Sequence, residues 1–491
     1  MIFLLILIPL VAAGLAFAIR QDALRRGILV ATAMAHTTLT LSAWWVRPGP
    51  TLRGWLMLDA PGLLFLSMTS ILFLAAAVYA VGYLRTEKPG KREDFEEGFL
   101  FTNAPEAVFT GCLLMFLTTM TLVTTSQHFG LMWVAVEATT LASAPLIFFH
   151  RHHRSLEATW KYLLICSVGI ALALLGNFFL AAAATKSGGE STALVLKDLI
   201  RDGGHLNVPW LKAAFLFFLV GYGTKMGLAP LHTWLPDAHS ESPSVVSALL
   251  SGALLNCAFL GILRAQQVCA AAGQDLFGQN LLILFGLFSI GWAAVFILGQ
   301  IDYKRMLAYS SVEHMGILAL GVGLGGAGTF GAMLHAVNHS LTKAMLFFVA
   351  GNILAVYKTK TASDVRGVLR VIPISGVLWI AGFLAITGLP PFGIFLSEFT
   401  IVKAMLDQGR TWIAVALLSL LSLIFVGMSS TVLKMAQGRP SDGVSGPAKG
   451  EAYLAIIPPA VFCVLILMLG LYIPPAVSSV LHEVARGLGG N

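Results

Sequence analysis

Four ionisable residues stand deep inside long apolar runs: Glu137 in WVAVEATTLAS, Lys225 in GYGTKMGLAP, Lys343 in LHAVNHSLTKAMLFF and Glu398 in LPPFGIFLSEF. A charge in the middle of a hydrocarbon layer costs at least a few kcal/mol (about 2.5–3.5 on insertion scales), so such groups persist where they pair, face a bundle interior, or handle ions and protons. Glu137 and Lys225 can be read as a static ion pair that fixes helix register. A register staple needs only two groups, however, and here four line up with several histidines. His335, His339 and Lys343 recur at i, i+4 and i+8, which places them on one helix face. Two histidines in HAVNH could ligate zinc, but no general-base Glu lies between them and no third ligand follows, so no metal is expected. Imidazole exchanges its proton near neutral pH, and the chemistry expected of the row is proton relay.

Further polar positions extend the row. His232 and His239 flank the end of the seventh apolar segment in PLHTWLPDAHSESPS, Asn256 sits within the eighth, and Glu313 and His314 lie in the tenth. Each alone reads as a satisfied core group; together they suggest a hydrated path. Pro230 follows Lys225 by five residues, and Pro390 and Pro391 precede Glu398. Two broken helices are therefore expected, each with a charge beside the break. Membranes admit broken helices where the freed backbone is buried in protein or lines a wet cavity.

The elements that must hold these residues follow from composition. Charged side chains make up 11% of the 491 residues, where soluble domains carry about 25%. The apolar share is 57% and the mean hydropathy +0.83, so the expected solvent is lipid. Basic residues, +7 in excess, are scattered between apolar runs instead of clustered, which argues against nucleic acid. The five cysteines have no C-x-x-C pair and sit in or beside apolar runs, as small buried hydrophobes do. No cofactor ligands are found.

Apolar runs long enough to cross a hydrocarbon core of roughly 30 Å fall at 2–19, 27–46, 62–84, 107–126, 128–149, 159–184, 211–236, 244–271, 280–300, 306–324, 328–357, 372–406, 411–434 and 453–475. The expected fold is an all-α polytopic membrane protein of about fourteen transmembrane helices. The first run, with no basic residues before it and many like it to follow, reads as a span and not as a cleaved signal. Segments four to eight (107–271) and nine to thirteen (280–434) each hold five helices and one break, the pattern of two inverted repeats. A three-helix segment and loop (1–106) precede them, and a linker with a last helix (435–491) follows. With the N-terminus outside, loops on the inner side hold 18 Lys and Arg (Lys88, Arg154, Lys304, Lys360 and Lys449 among them). The other side holds eight, including Lys186 and Arg264. By the positive-inside rule both termini face away from the cytoplasm of a cell inner-membrane protein.

Three short patterns are read as decoys. GVGLGG at 321–326 lacks the strand that a dinucleotide loop needs and is expected to be an interhelical turn. Ser340 to Lys343 matches S-x-x-K without its companion motifs. HRHHR at 150–154 is expected to be a flank facing lipid headgroups.

At the level of long motifs the chain resembles the antiporter-like, proton-translocating membrane subunits of complex I, Mrp antiporters and energy-converting membrane hydrogenases. KMGLAPLHTWLPDAHSESPSVVSALLSG, DYKRMLAYSSVEHMGIL (with Asp302 at its start), HAVNHSLTKAMLFF and GLPPFGIFLSEF carry the resemblance. ALLSGALLNCAFLGILR and SSVEHMGI are most similar to the F-type subunit of hydrogenase-4. The resemblance implies that Glu137 modulates Lys225, that His335, His339 and Lys343 form a central relay, and that Glu398 is its terminal group. Asn256 stands where several complex I members carry a lysine, so charge cannot rest there. The implied function is proton translocation within a multisubunit complex that has further membrane subunits and a redox arm of nickel-iron hydrogenase or quinone-reductase type. Alternatives are a sodium/proton antiporter subunit, the membrane subunit of an inorganic-carbon uptake complex, and a structural anchor for a redox arm.

Overall fold

The computed structural model describes all residues except 88–89, 95–97, 186–191, 441–443, 445, 448–449 and 489–491. Lys88, Lys186 and Lys449 lie outside the described residues. In chain order the helices are α1 (Ile2–Ala18), α2 (Asp22–Ser42), α3 (Ala60–Thr86), α4 (Glu106–Thr125), α5 (Phe129–Ile147), α6 (His153–Ala183), α7 (Leu196–Arg201), α8 (Val208–Met226), α9 (Trp234–Glu241), α10 (Ser244–Leu249) and α11 (Leu255–Ala271). They continue with α12 (Asp275–Ile297), α13 (Tyr303–Leu324), α14 (Gly326–Tyr357), α15 (Val368–Val371), α16 (Pro373–Ile386), α17 (Gly393–Asp407), α18 (Thr411–Ala436), α19 (Tyr453–Leu471) and α20 (Pro475–Gly487). A small hairpin, β1 (Lys91–Glu93) with β2 (Leu100–Thr102), occupies the mixed-charge loop after α3. Among the described residues ten helices are long and apolar enough to cross a membrane, counting Ser244–Ala271 as one.

Depth in the bundle separates interior helices from rim helices. The apolar window of Ser244–Ala271 is buried along its whole length and that of Tyr303–Leu324 along 94%, whereas Thr411–Ala436 and Tyr453–Leu471 are buried along only 28%. The rim pair presents Val415, Leu418, Val461 and Val464 outward, a face that hydrocarbon can cover. Close approach inside the bundle depends on glycine. A Cβ on Gly221 of α8 would lie 2.6 Å from the Gly169 carbonyl oxygen of α6. A Cβ on Gly286 or Gly316 would meet the other's carbonyl oxygen at 2.7 Å, so α12 and α13 also touch backbone to backbone. Small residues at such crossings are how membrane helices gain van der Waals contact without a hydrophobic driving force between them.

The two expected breaks are present. α8 ends at Gly227 (φ +89°) and resumes as α9; α16 ends at Ile386, turns through Gly388 (φ +65°), and resumes as α17. Both breaks contain a cis X-Pro bond, Ala229-Pro230 and Pro390-Pro391. A third irregularity carries no proline: α10 and α11 are joined by a π turn, Leu250–Leu254. Asn256 Nδ2 donates to the Gly252 carbonyl at 2.8 Å inside it.

Several expectations need correction. In GVGLGG only the last two glycines turn the chain: α13 runs through Leu324, because Gly321 and Gly323 pack as helical residues against Ala332 and Ile283. Arg264 and Lys304, taken as loop charges, are each 1% exposed. Arg264 sits within α11 and makes a two-pronged ion pair with Asp59, the residue that caps α3 by accepting the Gly62 amide at 3.1 Å. Helices also form outside the expected runs, the short α7 and α15 and the longer α20; α20 buries Val480, Leu481, Val484 and Ala485, and its Glu483 pairs with Arg47 at 2.9 Å.

Removing one member of a buried pair strands the other without solvent, at a cost of about 3–5 kcal/mol. Arg264→Ala or Asp59→Ala is therefore expected to lower the thermal midpoint of the detergent-solubilised protein substantially, and the double variant by less than the sum of the singles. Additive midpoint shifts would show that the two side chains do not depend on each other.

Candidate functional site: a buried polar row

The first part of the row is built where α5, α6 and α8 meet. Lys225 is fully buried and donates to the Thr140 hydroxyl and to the Tyr162 hydroxyl, each at 2.7 Å. Its ammonium also lies 4.5 Å from the Tyr162 ring centroid, within cation–π range. Glu137, half-buried, accepts from Ser167 at 2.7 Å and from Thr140 at 3.3 Å. Glu137 and Lys225 are not ion-paired; Thr140 stands between them and contacts both. The static-pair reading is thereby corrected to a carboxylate–hydroxyl–ammonium bridge. Thr140 is three residues from Glu137 in EATT and so shares its helix face, a signal the sequence did offer. Tyr162 had none, because α6 reaches Lys225 only through the glycine contacts with α8.

The middle is sparsely bonded. His239 on α9 stacks on Phe347 at 5.0 Å, and neither ring nitrogen has a hydrogen-bond partner among the described residues. Asn256 donates to the Ser340 hydroxyl at 2.8 Å, while its Oδ1 is unpartnered. Ser340, the first residue of S-x-x-K, is thus a bridge between α11 and α14. Lys343 donates to the Leu307 carbonyl at 2.5 Å and to Ser310 on α13. His232 lies in the α8–α9 break, edge-on to Trp292 and Tyr309, and no hydrogen bond joins it to the row. Asp302 caps α13 by accepting the Lys304 and Arg305 amides at 2.7 and 3.1 Å, and it accepts from Ser240 at 2.5 Å. Its place is structural.

At the far end the rings and hydroxyls stand close together, and two of the contacts are hydrogen bonds. The His339 ring lies 5.1 Å from that of His314; His314 Nδ1 and His335 Nε2 share a hydrogen bond of 2.8 Å; His335 Nδ1 meets the Ser397 hydroxyl at 2.9 Å. Ser397 adjoins Glu398 on α17, and a Cβ on Gly388 would come within 2.1 Å of the Glu398 carboxylate, so the glycine of the break makes room for the acid. Glu313, on the same helix as His314, has an unpartnered Oε2.

Beside the row a cavity of about 780 Å³ has charged walls that include His150, His152, Arg154, Glu241, Lys304 and Lys360. This corrects the reading of HRHHR: Arg151 and His153 are exposed, but His150 is held by Tyr83 at 3.0 Å and Asn103 at 2.8 Å, and Arg154 pairs with Asp94 at 2.7 Å. Burial, with His152, Lys304 and Arg92 nearby, pushes His150 down to about 3. Glu241 and Lys360, which sequence reasoning missed, pair at 2.7 Å. α9 links cavity and row, since Glu241 lines the one and His239, two residues earlier, belongs to the other.

Burial by itself would raise the Glu241 pKa, but the Lys360 ammonium, followed by Arg154 and Lys304, outweighs it and holds the carboxyl at about 2 against an ordinary 4.5. The depressed folded-state value means that the stabilisation is complete above pH 4.5 and is lost as pH falls through 2. At about 1.4 kcal/mol per unit, Glu241→Gln is expected to cost about 3 kcal/mol at pH 7. The difference from wild type should shrink between pH 4.5 and 2 in paired thermal melts; a gap independent of pH would show that the charge contributes nothing.

Residues 126–424 match the family described as NADH:quinone oxidoreductase/Mrp antiporter, TM. A hydrogenase-4 component F homolog of Methylacidiphilum infernorum is 36% identical over 427 residues, covering 86% of this chain and 86% of that one. The NADH-quinone oxidoreductase subunit N of Desulforudis audaxviator is 31% identical over 492 residues, covering 95% and 93%. Among solved structures, a chain of an archaeal respiratory membrane complex, the membrane-bound sulfane sulfur reductase, superposes with a TM-score of 0.87 at 20% identity over 100% of this chain and 98% of its own, and so shares the fold. The protein belongs to the NADH:quinone oxidoreductase/Mrp antiporter family, as an antiporter-like membrane subunit related to those of hydrogenases and complex I.

Proposed function

We propose that this chain translocates protons along the buried row, as the membrane subunit of an energy-converting complex of membrane-bound hydrogenase or complex I type. The observation that carries the reading is the Lys225 ammonium bound by two neutral hydroxyls, with Glu137 one hydroxyl away. A carboxylate in direct contact would trap the charge; a carboxylate acting through Thr140 stabilises the ammonium by an amount that changes with small movements of α5 against α8. When Glu137 approaches, Lys225 keeps its proton. When it recedes, desolvation favours release. The proton then passes to Lys343 and the histidines, with Asn256 and His239 offering unpartnered polar atoms between, and leaves by way of Glu398. The 780 Å³ cavity beside α9 is the mouth on the other side.

The architecture proposed with this function has fourteen crossing segments in two inverted repeats, 107–271 and 280–434. α8–α9 and α16–α17 occupy corresponding places in them, and each carries its acid or base beside the break. In this proposal the cavity opens on the cytoplasmic side of the inner membrane with both termini opposite, an orientation that the excess of Lys and Arg in the loops around it supports. Partners are further membrane subunits and a peripheral redox arm. The chain itself carries no cofactor in this proposal.

In proteoliposomes of the assembled complex, Lys225→Ala and Glu398→Ala are each expected to reduce proton pumping to the leak rate; undiminished pumping by either variant would sink the proposal. Flux that tracks sodium at fixed proton gradient would replace it with sodium/proton antiport. Thr140→Val, which removes one hydrogen bond to a charged group worth about 1.5–3 kcal/mol, is expected to slow pumping about tenfold or more without loss of assembly. An unchanged rate would show that Glu137 acts on Lys225 by another route.

A further inference from the structure

We infer that His314, His335 and Glu398 form a binding site for a divalent transition-metal ion, zinc foremost, which arrests the row at its far end. The three side chains come from α13, α14 and α17, and one ligand atom from each lies within 4.8 Å of the others, all in buried residues. Tetrahedral zinc with bonds of about 2.0–2.2 Å holds its ligand atoms roughly 3.4 Å apart. The His314 Nδ1 to His335 Nε2 contact of 2.8 Å must open slightly and Glu398 close slightly, changes within the reach of rotamer adjustment.

The surroundings suit a metal. His335 Nδ1 meets Ser397 Oγ at 2.9 Å, and Ser397 donates onward to the Ile394 carbonyl at 2.8 Å. With Ser397 accepting from Nδ1–H, Nε2 presents its lone pair inward, the outer hydrogen bond that orients metal-bound imidazoles. His314 Nε2 has no partner among the described residues, so it can carry the imidazole proton while Nδ1 turns to the ion. Gly388 leaves the space that the Glu398 carboxylate fills. Glu313 adjoins His314 on α13 and has an unpartnered Oε2, so the bundle holds a second acid that can offset a dipositive ion. Two imidazoles and one carboxylate favour zinc, copper or nickel over magnesium or calcium, which require more oxygen ligands. Two histidines with one glutamate leave a fourth position for water.

Metal and proton compete for the same lone pairs, so an occupied site interrupts the His314–His335 link. This consequence rests on the proton-relay reading, but metal binding does not. The test uses the full-length chain in its native complex, stripped with chelator and titrated with cobalt(II). One cobalt per chain, with the intense visible bands of four-coordinate cobalt and displacement by one equivalent of zinc, is expected. His335→Gln and Glu398→Gln should each weaken binding at least tenfold, while His339→Gln, a neighbour outside the triad, should retain it. Absence of the bands in wild type, their persistence in both triad variants, or sulfur-to-cobalt charge transfer from a buried cysteine would overturn the inference. If a triad variant fails to assemble, X-ray absorption of zinc-loaded wild type decides: two imidazoles and a carboxylate support the site, and a six-oxygen or sulfur shell refutes it. Pumping by the metal-free complex is scored separately, so loss of the metal site leaves the transport reading standing, and the converse holds.

Discussion

The Lys225 ammonium has left water without being given a carboxylate of its own. Thr140 and Tyr162 hold it at 2.7 Å each, and those two contacts explain why the surrounding helices are placed as they are. Tyr162 reaches the lysine only because α6 and α8 touch at Gly169 and Gly221. Thr140 reaches it only because α5 turns the Glu137 face toward the same crossing. Lys343 repeats the device: its partners are a backbone carbonyl and the Ser310 hydroxyl. Neutral acceptors solvate a cation while leaving its proton transferable, which a direct ion pair in low dielectric would resist.

Rigidity is distributed to match. Strong charge pairs stand at the edges, where Arg264 clasps Asp59 and Lys360 clasps Glu241. Between them the row contains buried polar atoms with no partner among the described residues: both nitrogens of His239 and of His339, Oδ1 of Asn256 and Oε2 of Glu313. Such atoms are costly in a finished core, and their concentration along one line through the most buried helices fits a path that water completes. The irregular backbone follows that line, with the breaks beside Lys225 and Glu398 and the π turn beside Asn256, in keeping with the association of π turns with functional sites.

Much of this was legible in the order of residues. Long apolar runs mark the helices, Pro230 and the Pro390–Pro391 pair mark the breaks, and the i, i+4, i+8 spacing puts His335, His339 and Lys343 on the face that α13 covers. These features are local, and period and punctuation encode them. The π turn and α20 were less visible: the first has no proline to announce it, and the second is an amphipathic stretch whose apolar face has meaning only once α14 and α3 are there to receive it.

By itself the sequence determined the solvent, the approximate helices, the broken pair and the identity of the buried ionisable groups, because each is a property of one continuous segment. Which groups meet was decided only by tertiary structure. Lys225 meets Thr140 and Tyr162, Arg264 finds Asp59, the HRHHR segment turns inward to a cavity, and His314 and His335 gather with Glu398. Each of these contacts joins residues far apart in the chain. The distances are set by glycine-mediated backbone approach and by the directions of broken helices, quantities that no single helix records.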